Sequence, residues 1–245
     1  MNKIRPSFRL IVIVLLLLFT NTFAQETGQK FLSKIPALPQ NFCQANDDTI
    51  MKWNDKLLAL KNEMIELQVN EKQQMEQAQS KAQPRMNIFE SANIEKIQKL
   101  GEKVQGIETD INNILNEITS PFIEKRSIAE VKYQKMEEAL EEQKKVAIQQ
   151  GGKAENIIKR IHQLEQEKCG ELSLLRKNYL TAFRSRLNEL IELGAKENEL
   201  SDEMIQLNDA DYSFRTKYGL WLGFLETYVD ELLHIYDDLP PRDKK

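Results

Sequence analysis

The chain has 245 residues, 34 basic and 38 acidic side chains, a net charge of −4, and only nine Gly and seven Pro. That is too few turn formers for a many-stranded β-fold, which needs one every 8–12 residues or so, and too acidic a balance for a nucleic-acid binder. Two His and two Cys leave little material for metal or nucleophile chemistry, while 41% hydrophobic residues exclude an intrinsically disordered chain.

The N-terminus has the three parts of a secretory leader. Lys3, Arg5 and Arg9 give a basic start, Leu10 to Phe19 is an unbroken apolar run, and Thr22-Phe23-Ala24 places small residues for cleavage before Gln25. Ten residues span about 15 Å as a helix, half of a hydrocarbon core roughly 30 Å thick, so the run is too short for an anchor. Cleavage after Ala24 would leave Gln25 as the first residue, with a free amine or cyclised to pyroglutamate. No Cys follows the leader closely, which argues against a lipid anchor, and no later run is apolar enough to span a membrane. The expected location is a bacterial periplasm or the medium beyond it. Residues 25–49, with Pro36 and Pro39, read as an irregular lead-in, and Asp47, Asp48 or Thr49 can cap the helix that follows.

From there the chain alternates 3- and 4-residue apolar spacings, a heptad-like helical signature. Ile50, Trp53, Leu57, Leu60, Met64 and Leu67 form the first seam; residues 70–83, with five Gln, thin it out before Pro84. Ile97, Leu100, Val104, Ile107, Ile111, Ile114 and Ile118 form the second, with Pro121 ending it or opening the next helix. These two predict hairpin one over 50–119. Hairpin two covers 122–198. It pairs a looser stripe (Ile128, Val131, Met136, Leu140, Val146) with a longer one (Ile157, Ile161, Leu164, Leu172, Leu175, Tyr179, Phe183, Leu187, Leu190) across Gly151-Gly152. Gly170 interrupts the second stripe and suggests close approach of another segment, one that could carry Cys43.

Residues 201–239 differ: nine acidic residues stand against two basic, and Tyr212, Phe214, Tyr218, Trp221, Phe224, Tyr228 and Tyr236 cluster there. The aromatic stripe covers about half a helix. It is either sandwiched in the bundle or aimed at a partner. Tyr212, Phe224 and Tyr236, at its start, edge and end, are the candidate partner-binding residues, and the uncompensated acids would steer toward a basic partner. Residues 240–245 form a charged tail.

Cys43 and Cys169 form an even pair that an oxidising compartment would allow to bond; two free buried thiols are the alternative. Extended chain from Ile50 back to Cys43 reaches about 23 Å, and Cys169 lies about 18 Å from the base of hairpin two, so a bridge is geometrically allowed. Glu231-Leu-Leu-His234 is a single E-x-x-H, and a di-iron bundle needs two with further Glu; His162 has Lys159, not Glu, three residues before it. Gly219-Leu-Trp-Leu-Gly223 matches GxxxG in an apolar run too short for a membrane helix. No phosphate loop or nucleophile elbow is present.

The expected fold is therefore all-α: an elongated antiparallel bundle of two long coiled-coil-like hairpins plus a C-terminal aromatic-rich helix. The expected function is an exported, non-enzymatic scaffold or adaptor of the cell envelope. It would bind another envelope protein, with no cofactor, metal or nucleic acid and no membrane span in the mature chain; a homo-oligomer is compatible with it. The architecture is similar to that of periplasmic tentacle-like holdase chaperones, which are strongly basic where this chain is acidic. That likeness implies a holdase as the alternative function.

Overall fold

Apolar seams of 3-4 spacing need a helical neighbour along their whole length, and the computed structural model shows how they find one. It describes residues 23–39, 42–81, 91–208, 212 and 214–239. Helix α1 covers residues 23–34, α2 runs Asp47–Lys81, α3 Ser91–Gln149, α4 Glu155–Asn208 and α5 Gly219–Leu233, with short 3-10 turns at Phe42–Gln44 and His234–Asp238. No strand occurs among the described residues, so the all-α architecture holds. Residues 1–22, the break at Pro84 and the 240–245 tail lie outside the described residues.

The seams are buried as their spacing requires. Ile50, Trp53, Leu57, Leu60 and Met64 of α2 share one core with Ile107, Ile111, Ile114 and Ile118 of α3, Phe183, Leu187 and Leu190 of α4, and Trp221, Leu225 and Val229 of α5. The pairing, however, differs from two simple hairpins. The backbone of α3 packs along α4, α4 packs against α5, and α2 packs against α5. The close partner of α2 is thus the C-terminal helix rather than α3. A stripe as broad and apolar as that of α5 satisfies two neighbours at once.

Three boundaries move as well. Pro121 ends nothing: it lies inside α3, a single helix of 59 residues, about 88 Å long at 1.5 Å per residue. An interior Pro loses one backbone hydrogen bond and costs about 3 kcal/mol. Packing along α4 offsets this, beginning next door where Phe122 stacks on Tyr179 at 4.5 Å. Helix α4 runs on to Asn208, so residues 201–208 belong to it and the aromatic helix starts only at Gly219. The lead-in is partly helical. Ala24, Gly28, Phe31 and Leu32 fall on one face of α1, and Gly28 lets it approach Ile191 of α4, 3.1 Å from where a Cβ would sit. The cap of α2 is Asn46, whose Oδ1 accepts the Thr49 N–H at 2.8 Å; Asp47 and Asp48 instead supply first-turn negative charge.

Gly170 has open space around it, and nothing in the structure explains its place in α4. The close approach belongs to Gly194, where an added Cβ would lie 2.9 Å from Trp221 N and 3.1 Å from Phe224 Cε2. In the GxxxG run, Gly219 alone is crowded, by the Asn198 side chain at 2.5 Å, and it has a positive φ of 40°; Gly223 touches nothing.

Candidate functional site

Two places on the molecule concentrate polar structure: the root of a two-helix arm and a cavity at the start of α5. The arm arises because α3 and α4 outrun their neighbours. From Gln134 to Gln163 no side chain is buried. Its register is held by cross-helix polar pairs: Lys132 Nζ and Tyr133 Oη both donate to Glu171 Oε2, at 2.5 and 2.8 Å, and Lys168 Nζ lies 3.0 Å from Glu137. Those two donors hold the Glu171 carboxyl below its ordinary range.

The root is clamped twice. Cys43 and Cys169 form a disulfide with Cα atoms 6.0 Å apart, tying the Phe42–Gln44 turn to α4. Beside it, Asp238 sits fully buried between two arginines. Arg176 Nε donates to its Oδ2 at 2.7 Å while Arg176 Nη1 reaches Glu231 at 2.9 Å. Arg126 Nη1 lies 2.7 Å from Asp238 Oδ1, an ion pair by distance whose angle misses hydrogen-bond geometry. Burial works against the Arg126 charge, but Asp238 and Glu130 outweigh it and its pKa rises. Both guanidinium groups lie over the Phe122 ring, at 5.9 and 5.5 Å. One carboxylate from the C-terminal turn thereby locks α3 to α4 where the arm leaves the body. Arg176 was legible as an oddity, since it falls four residues from Leu172 and from Leu180 on the apolar stripe. Asp238 and Arg126 carry no such signal; each reads as one more solvated charge.

Several aliphatic side chains near this root stand in water among charged ones. Ile123, Ile128 and Val131 of α3 and Leu174 of α4 are all exposed, Ile128 at 64%, and Val146, Ile148 and Ile158 continue along the arm.

The candidate partner residues fare differently from one another. Tyr236 is 53% exposed, on the C-terminal turn at the arm's root. Phe224 is 7% exposed and packs on Gly194, and Tyr212 is buried with its hydroxyl unpaired among the described residues. Burial withdraws both from the surface, Phe224 because α5 is sandwiched between α2 and α4. Phe224→Ala is accordingly expected to cost about 3–5 kcal/mol in urea unfolding, the range for a core Phe.

The second place is the connection from 212 to α5. Glu71, on the Gln-rich half of α2, accepts the N–H groups of Lys217, Tyr218 and Gly219, the last at 2.8 Å. It thus caps a helix that has no cap of its own. Asp202 accepts Thr216 N and Oγ1, and Asn198 accepts Leu220 N. Between these groups and α1 lies a cavity of about 470 Å³ lined by Phe23, Ala24, Ala195, Glu199, Tyr218 and Trp221, among others.

The isolated motif residues stay isolated. His234 pairs with Asp237 at 2.8 Å and His162 with Glu165 at 3.2 Å, all local contacts. No group of three or more His, Cys, Asp or Glu that could hold a metal occurs among the described residues. No helix among them is long and apolar enough to cross a membrane. Comparison with known proteins finds no family, no curated protein and no solved structure that the chain matches.

Proposed function

We propose that this protein is an exported, non-enzymatic scaffold or adaptor of the bacterial cell envelope that offers the root and flank of its α3–α4 arm to a protein partner. The observation that supports this reading is a set of exposed aliphatic side chains, Ile123, Ile128, Val131 and Leu174, beside a doubly clamped root. Apolar side chains left in water on a rigid element are presented in a fixed geometry, so a partner binding them bears little of the entropy cost of ordering them. Tyr236 lies at the same root and adds an aromatic contact of the kind that anchors interfaces. The disulfide fits an oxidising compartment.

The test replaces Ile128 and Leu174 together by Glu and measures stability and affinity capture from envelope extracts separately. Both are exposed, so stability should change by no more than about 0.5 kcal/mol for each, while capture of one stoichiometric partner is lost. Capture of many unfolded clients instead, unaffected by the substitutions, would favour the holdase and overturn the scaffold.

A further inference from the structure

The cavity at the start of α5 is lined by a buried polar atom that makes no hydrogen bond. Asn198, Thr216 and Trp221 spend their side-chain polar atoms on the 216–220 backbone and on Asp202. Arg215 is exposed and bonded to Gln206, and Lys217 is exposed. Glu199 Oε1, by contrast, is buried without a hydrogen-bond partner. An unpaired buried carboxylate oxygen is costly, and a native fold that keeps one calls for a missing partner.

Phe23 and Ala24, the last two residues that leader cleavage would remove, also line the cavity. Ala24 is 2% exposed within α1, so its peptide bond to Gln25 is open to a peptidase only before the helix docks. Helix α1 runs antiparallel to α4: Gln25 Nε2 donates to Glu192 at 2.5 Å and Gln29 Nε2 to Asn188 Oδ1 at 3.0 Å. A step toward the start of α1 is therefore a step along α4 from Glu192 toward Ala195 and Glu199. Helical N–H groups point toward the helix start, and the Glu199 side chain leans back toward the start of its own helix. By these general directions the Gln25 N–H and the Glu199 side chain are aimed toward one another.

We infer that Glu199 is the built-in acceptor for the α-ammonium of Gln25 created when the leader is removed. The inference rests on the export reading above. Two further observations favour it. A new ammonium at the first residue of α1 lies at the positive end of that helix's dipole and needs an anion beside it. Burial, with Asp202 adding to it, also holds the Glu199 carboxyl above its ordinary range despite the opposing pull of Arg215 and Lys196, so the charges around it do not fully offset its burial.

The pairing has a chemical readout. An N-terminal Gln cyclises when its neutral α-amine attacks the side-chain amide carbon. The new C–N bond closes a lactam, the old one breaks, and ammonia leaves. An ammonium has no lone pair for this step, so the ion pair protects Gln25. An α-amine normally titrates near 8, and each unit of upward shift cuts the neutral fraction at neutral pH about tenfold.

The experiment follows loss of one ammonia by intact mass over days at pH 7, in the processed wild-type protein and in the Glu199→Gln and Glu192→Gln variants. The expected result is a wild-type mass beginning at uncyclised Gln25, with cyclisation at least about tenfold faster in Glu199→Gln and little changed in Glu192→Gln. Rapid cyclisation of the wild-type, or acceleration by Glu192→Gln alone, overturns the assignment to Glu199 and leaves the export reading standing. A mass that retains residues 1–24 overturns both.

Discussion

Replacing Asp238 by Ala should lower stability by about 3–5 kcal/mol, the range for removing one partner from a buried ion pair. Its side chain is fully buried and Arg176 is only 6% exposed, so neither charge is screened by solvent. The loss strands Arg176 with Glu231 alone and leaves Arg126 to Glu130. The expected signature is a lower urea midpoint with an unchanged slope, since the same surface is exposed on unfolding. Replacing the pair as a pair, Arg176→Met with Asp238→Leu, should restore much of the loss, because no buried charge is then left uncompensated. If Asp238→Ala costs less than about 1 kcal/mol, the root is held by the aromatic plate of Phe122 and Tyr179 instead.

Changing both cysteines to Ser should cost about 4–5 kcal/mol. The bond closes a loop across 126 positions of sequence, and in the chain-entropy account loops of that size restrict the unfolded chain by this much. Only the Phe42–Gln44 turn and its edge-on contact between Phe42 and Trp53 should loosen in the folded state. Hydrogen exchange should find the change there and leave the α4–α5 core protected. A melting temperature indifferent to reduction would remove the bond from any structural role.

The comparison of sequence with structure separates what period can report from what it cannot. Burial of Ile50, Trp53, Leu57, Leu60 and Met64 followed from spacing alone, because a 3-4 stripe has only one way to leave water. The choice of partner did not. α2 and α3 carry equally good seams, and only the breadth of the Trp221–Leu232 stripe hints that α5 would take α2 from α3. Pro121 misled because a proline reports a missing donor and not the strength of the packing around it. The start of α1 was legible in the 24, 28, 31, 32 spacing but hidden behind the two prolines that follow. At the candidate sites, Tyr236 could be proposed from its place at the end of the stripe. The Asp238 clamp and the unpaired Glu199 could not, since their meaning depends on residues far apart in sequence, Arg176 being 62 positions from Asp238.

The pairing of elements also sets an order in time. Helices α1 and α2 are synthesised first, yet α1 rests on Ile191 of α4 and α2 on α5, the last helix made. For most of the chain's emergence the apolar stripe of α2 lacks the α5 surface that completes its cover. Early helices can form locally and fast, but the body must wait for closure over some 170 positions, the kind of distant contact that slows folding. A nascent chain of this design carries incompletely covered stripes until its final turn arrives. It therefore depends, more than a bundle of sequential hairpins would, on whatever shields it until Asp238 closes between its arginines.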